Sequence, residues 1–171
     1  MMTETRYRKI FITGALGFVG RALAARYRAL GAQTCGLDVR ADAAWDVAAG
    51  NVSKPEAWQD HVRGCDLVIH TAAIVTNNVT REEAWRVNVL GTRRVLDAAV
   101  RAGTRRFVHL SSLAAMRFLL DDGADEAAPV MPTGNSAGGD PPAPPPAAPI
   151  HDPGVDLARK TVCIKVRLST M

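Results

Sequence analysis

Lys9-Ile10-Phe11-Ile12-Thr13-Gly14-Ala15-Leu16-Gly17-Phe18-Val19-Gly20, running on into Arg21-Ala22-Leu23-Ala24, is the stretch that decides the fold. Ile10, Phe11 and Ile12 form an uninterrupted apolar run between Lys9 and Thr13, the pattern of a strand covered on both faces. Glycines at 14, 17 and 20 then make a turn, and the residues after it have the spacing of an amphipathic helix. Gly14 permits the tight turn, Gly17 lets backbone approach a phosphate, and Gly20 lets the helix lie close to its strand. Amide groups at the start of such a helix face an anion. A glycine pattern by itself is weak; a strand before it and a helix after it make it specific.

The next strand ends at Asp38, eighteen residues beyond Gly20. An acidic side chain there accepts hydrogen bonds from the free hydroxyls of an adenosine ribose and repels a 2′-phosphate, which favours NAD over NADP, with Arg40 nearby as the feature that argues for the phosphate form. Asp38 could also serve only as a turn cap. Downstream, apolar runs predict strands near 8–13, 33–38, 47–52, 66–70 and 106–111, with helices near 18–31, 55–63 and 82–102 between them. Alternating strands and helices imply right-handed crossovers and a parallel sheet with helices on both faces. In the last of these helices Ala84, Val87, Leu90, Gly91, Val95, Ala98 and Ala99 recur at helical spacing, and Gly103 marks its end.

Composition divides the chain. Of its 171 residues 47% are hydrophobic, enough for one domain with a sizeable core, yet nine of the ten prolines follow residue 128. The stretch 134–149, rich in Pro, Ala and Gly, cannot form a packed core and is expected to be disordered or extended. Thr161-Val162-Cys163-Ile164-Lys165-Val166 has strand character, but nothing in the sequence ties it to the sheet. The boundary falls near residue 133, giving an incomplete dinucleotide-binding domain over 1–132 and an irregular tail over 133–171.

The net charge of +4 comes from arginines scattered over helix surfaces, with no aromatic interleaving, so nucleic acid is not an expected partner. Cys35, Cys65 and Cys163 have neither metal-ligand spacing nor even pairing, which points to a reducing compartment and no metal. The N-terminus carries no apolar export segment and no run approaches membrane length, so a cytoplasmic location is the expectation, without membrane association.

Four ordered motifs resemble the extended short-chain dehydrogenase/reductase family: Thr13 to Gly20; Asp66-Leu67-Val68-Ile69-His70-Thr71-Ala72-Ala73; Val87-Asn88-Val89-Leu90-Gly91-Thr92; and Arg106-Phe107-Val108-His109-Leu110-Ser111-Ser112. Within it the similarity is to NAD-dependent epimerase/dehydratases and 3β-hydroxysteroid dehydrogenase/isomerase-like enzymes, and it covers about residues 7–132. The resemblance implies a Rossmann-type doubly wound α/β fold, here truncated after the fifth strand. It also implies roles: Gly14, Gly17, Phe18, Val19 and Gly20 at the pyrophosphate, Asp38 on the ribose, and Asn51 and Val52 at the adenine, where the family more often has Asp at 51. Thr71, Ala72 and Ala73 would border the nicotinamide, Asn88 would organise the helix and pocket, and Ser112 would be the catalytic hydroxyl. Alternation along a strand leaves Ser111 as the other candidate. His70 and His109 read as structural, since neither has a partner at nucleophile or metal spacing.

The family reaction also needs Tyr-x-x-x-Lys on a helix, where one helical turn sets both side chains on one face so that the ammonium lowers the phenol pKa. The two tyrosines of this chain are Tyr7 and Tyr27, and neither begins such a motif. Asp125-Glu126-Ala127-Ala128-Pro129-Val130-Met131-Pro132 still resembles the segment that precedes the catalytic tyrosine, and the likeness then stops. A frameshift near 133–136 would give this pattern. The sequence therefore predicts the NAD-binding part of an oxidoreductase acting on a nucleotide sugar or a secondary alcohol such as a hydroxysteroid, catalytically incompetent in its present form. The alternatives are a non-catalytic dinucleotide sensor and a non-functional gene fragment. The homodimer usual in the family is in doubt, because its interface helices include the missing one. Loss of that helix also predicts an exposed edge on strand 106–111 and poor solubility.

Overall fold

The computed structural model describes residues 7–55, 57–76, 78–112 and 161–166. Six strands form one sheet: β1 (Lys9–Thr13), β2 (Gln33–Asp38), β3 (Val47–Ala49), β4 (Leu67–His70), β5 (Arg106–Ser112) and β6 (Thr161–Val166). Their order is β3-β2-β1-β4-β5-β6, and every neighbouring pair is parallel. The order reverses between β1 and β4. In a doubly wound sheet the crevice beyond the carboxyl ends of those two strands is where a ligand binds.

Helix α1 (Phe18–Ala29) covers one face; the other carries a 3-10 helix (Ala57–Val62) and a long helix made of α2 (Arg81–Trp85), a π turn (Arg86–Gly91) and α3 (Thr92–Arg101). Each face has its own core. Ile10, Ile12, Ala24, Leu67 and Ile69 pack on the α1 side, while Phe11, Leu37, Val68, Val95, Ala99 and Phe107 pack on the α3 side. Ile10, Phe11 and Ile12 are fully buried, as a central parallel strand requires. Removing such a side chain from either core costs about 2–5 kcal/mol.

Besides the π turn inside the expected helix 82–102, three elements differ from the sequence reading. Strand β3 stops at Ala49, and the Gly50 amide turns back to the Asp38 carbonyl at 2.8 Å. The segment at 57–62 is a 3-10 helix, buried through Trp58 and Val62 alone. The sheet also extends one strand beyond the fifth: β6 lies parallel to β5 and pairs with it from Phe107↔Thr161 to Ser112↔Val166. The edge of β5 is therefore covered, and the expected aggregation edge is not where the sequence put it. The stretch 134–149, expected to be disordered or extended, lies outside the described residues. Gly103 has φ 66° and follows α3 as expected of the residue that ends a helix in the left-handed region.

Candidate functional site

The glycine turn stands at the reversal point and is held there from both sides. Gly14 has φ 66°, and a Cβ on it would lie 2.9 Å from the Ala72 amide nitrogen and 2.9 Å from Thr71 Oγ1, so the turn touches the segment after β4 directly. A Cβ on Gly20 would run into the Gly14 carbonyl, which is why α1 can start so close to β1. The Gly17 amide donates to the Gly14 carbonyl at 3.0 Å, closing the turn. Gly17 is the N-cap of α1, with no side-chain cap and no acidic residue in the first turn, so the helix opens on bare amides. Phe18 is 92% exposed beside them, and Val39 is 73% exposed beyond β2.

Asp38 does more than face outward. Its Oδ2 accepts from the Leu16 amide at 2.9 Å and its Oδ1 from the Val39 amide at 2.8 Å. The carboxylate thus ties the glycine turn to the end of β2, while a carboxylate oxygen retains lone pairs for further donors. The capping and ribose-binding readings of Asp38 are compatible. Beyond β2, Asp42 caps the 3-10 helix Ala43–Trp45 and pairs with Arg21 at 3.4 Å. The Arg21 and Arg28 guanidinium carbons lie 5.1 and 4.8 Å from the Trp45 ring centroid, so the loop after Asp38 is fastened onto α1.

Asn51 and Val52 separate in role. Asn51 Oδ1 accepts from the Ser53 amide at 2.8 Å, forming a local turn, and the residue is half-buried. Val52 is buried in the core, where a Cβ on Gly91 would lie 2.8 Å from its Cγ2. Its side chain therefore faces the helix layer, and only its backbone is available to a ligand.

Thr71 and Ala72 are half-buried and Ala73 is exposed, lining the β4 side of the crevice. The Thr71 hydroxyl donates to the Thr13 carbonyl at 2.7 Å. Asn88, in the π turn, grips the same segment: its Oδ1 accepts from the Ile74 amide at 2.8 Å and its Nδ2 donates to the Ile74 carbonyl at 2.9 Å. Ser112 ends β5, and its side chain lies outside the described residues. Ser111 is half-buried and shares a strand face with Phe107 and His109.

His70 is fully buried, with Thr13 Oγ1 at 2.6 Å from Nδ1 and Thr92 Oγ1 at 2.9 Å from Nε2. Burial pushes its pKa down to about 3, with His109 adding to the shift. The His109 ring stacks on it with centroids 5.3 Å apart, and burial lowers its pKa as well. A neutral ring with both nitrogens engaged is a structural group, not a proton shuttle. The sequence offered no signal for Thr13 and Thr92, because their partner is distant in the chain.

Among the described residues no group of three or more His, Cys, Asp or Glu could hold a metal, and no helix is long and apolar enough to cross a membrane. A cavity of about 510 Å³ lies between Lys9, Arg28, Gln33 and Asp46. It opens where β1 and β2 begin, at the opposite end of the strands from the glycine turn, so it is not the reversal-point crevice.

The fold and this turn define a Rossmann-type dinucleotide-binding domain. The sequence profile of the NAD dependent epimerase/dehydratase family matches residues 10–133, and the chain belongs to that family. A ketoreductase of Stigmatella aurantiaca, acting on 4-hydroxy-2-methyl-3-oxo-4-farnesyl-3,4-dihydroquinoline-1-oxide, is 35% identical over 115 residues, 63% of this chain and 34% of the relative. A short-chain dehydrogenase/reductase superfamily protein of Agrobacterium tumefaciens, solved with bound NAD, superposes with a TM-score of 0.65 at 34% identity, over 74% of this chain and 40% of that one. MoeE5, solved with UDP-glucose and NAD, gives a TM-score of 0.64 at 27% identity, over 72% of this chain and 42% of the other. The chain thus spans about a third to two fifths of the length of these relatives.

Proposed function

We propose that this chain holds NAD in the crevice between β1 and β4, as the cofactor-binding part of an epimerase/dehydratase-type oxidoreductase. The supporting observation is the glycine turn, which opens α1 on uncapped amides, meets Thr71 and Ala72 on one side and is tied to Asp38 on the other. The residues present fit the group: a Cβ on Gly14 would close the space that lets the two segments meet. Phe18 and Val19 with the turn glycines hold the pyrophosphate, Asp38 the adenosine ribose, Asn51 and the Val52 backbone the adenine edge, and Thr71, Ala72 and Ala73 the nicotinamide side. The negative charge of Asp38 sets NAD above NADP. When bound, NAD supplies a hydride acceptor.

Ser112 orients a substrate oxygen, and the missing Tyr-x-x-x-Lys leaves the chain without a general acid/base, so it binds and does not turn over. The substrate class is a nucleotide sugar or a secondary alcohol, in line with the two relatives named for UDP-glucose and for a ketone. Residues 133–171 are an out-of-frame or unrelated tail, and translating the gene in its other two frames decides between the two: a downstream Tyr-x-x-x-Lys helix supports the frameshift, and its absence from both frames overturns the frameshift.

The binding test is a fluorescence titration of the purified chain with NADH and NADPH, with circular dichroism to confirm folding. Saturable NADH binding, at least tenfold tighter than NADPH and lost in Gly17→Asp, is the expected result; a folded chain that binds neither dinucleotide refutes the proposal.

A further inference from the structure

The hydrogen bonds around His70 have only one consistent set of directions. The Thr92 hydroxyl gives its single proton to the Asn88 carbonyl at 2.7 Å, so toward His70 it can only accept. His70 Nε2 must therefore carry the ring proton, and Nδ1 is left as an acceptor for the Thr13 hydroxyl at 2.6 Å. Thr13 Oγ1, its proton spent, accepts from the Ala72 amide at 3.3 Å. At the far end Asn88 grips both backbone groups of Ile74 through its side-chain amide. The chain of bonds leaves the segment after β4 at Ala72, passes through β1, β4 and the π turn, and returns two residues later at Ile74.

We propose that His70 is a positioning residue, which through Thr13, Thr92 and Asn88 closes a hydrogen-bonded circuit that fixes residues 72–74 for the nicotinamide half of the dinucleotide. Asn88 alone would hold Ile74 while leaving Ala72 free, and Thr13 alone would do the reverse. The ring joins the two, and its neutral form, held by burial, keeps the directions from reversing. The side chains of the circuit, those of Thr13, His70, Asn88 and Thr92, come from outside Gly14–Gly20. The circuit therefore acts on one half of the ligand and leaves the other half alone.

This inference rests on the NAD site proposed above, and the experiment separates the two. Thr13→Val and Thr92→Val keep side-chain shape and remove one hydroxyl each; Thr13→Ser and Thr92→Ser restore it. The full-length chain and the four variants are titrated by calorimetry with NADH and with ADP-ribose, which lacks the nicotinamide. The expected result is ADP-ribose affinity within about twofold of the parent in all variants, NADH affinity about tenfold weaker in the two valine variants, and recovery in the serine variants. Equal loss of both ligands, or failure of serine to restore NADH binding, overturns the inference. A parent chain that binds neither ligand overturns the NAD site and the inference with it. A measurement on the unsubstituted chain covers variants that fail to fold: amide hydrogen exchange of Ala72 and Ile74 is expected to be slowed well below the free-chain rate, and exchange at the free-chain rate overturns the circuit.

Discussion

Mild acid should destabilise this fold by an amount set mainly by His70. The ring is fully buried, with both nitrogens committed to hydroxyl groups, and its pKa lies near 3 against an ordinary 6.5. A base whose pKa falls on folding binds its proton more readily in the unfolded chain. Its contribution to stability is therefore complete above pH 6.5 and drains away as the pH falls from there toward 3. At pH 5 the unfolded state is ahead by about 1.5 pH units, or about 2 kcal/mol. The lowered pKa of His109 adds loss of the same sign. Asp66, whose carboxylate pKa is lowered by the Arg8 and Lys9 amides, acts only below the ordinary carboxylate range and does not confuse this window. Urea unfolding followed by circular dichroism should show the midpoint falling by about 1 M between pH 7.5 and pH 5. In His70→Gln, which keeps a donor and an acceptor without a titrating ring, most of that fall should vanish. An undiminished fall in His70→Gln, or a midpoint that does not move in the parent, would refute the assignment of a neutral, doubly bonded ring.

Two further outcomes follow from close contacts. Gly91→Ala brings a Cβ to 2.8 Å from Val52 Cγ2 inside the core, so it should destabilise the chain by about 1–3 kcal/mol in the same urea assay; a neutral effect would mean that the π turn does not press on Val52 as described. Cys35 and Cys65 lie with their sulfurs 3.9 Å apart, and the shared hydrogen bond lowers the Cys35 thiol while it and burial raise Cys65. Iodoacetamide mapped by peptide mass should label Cys35 before Cys65, and the reverse order would show that the bond runs the other way.

What could be read from the sequence was what neighbours in the chain decide. β1, β2, β4 and β5 were legible because their apolar runs are continuous, and the glycine turn because strand, glycines and helix follow one another without a gap. The place of Asp38 at the end of β2 was legible, although its bond to the Leu16 amide was not. The π turn was hidden because Ala84, Val87, Gly91, Val95 and Ala98 fit an ordinary helix well enough, and one widened turn shifts that pattern too little to notice. β6 was hidden for a different reason: an alternating run of six residues shows that a strand can form, and nothing about where it pairs. The circuit through Thr13, His70 and Thr92 joins residues 57 and 22 positions apart, with no short pattern to announce it.

The π turn makes residues 86–91 intolerant of any change in length. Losing one residue there would let 81–101 relax into a regular α-helix. Everything upstream would then turn by about 100° and slide by about 1.5 Å relative to the Val95, Ala98 and Ala99 side that is anchored in the core. Asn88 would swing off Ile74, and Gly91 would no longer meet Val52. A deletion at this point acts as a screw, carrying the whole forward half of the helix away from the crevice at once.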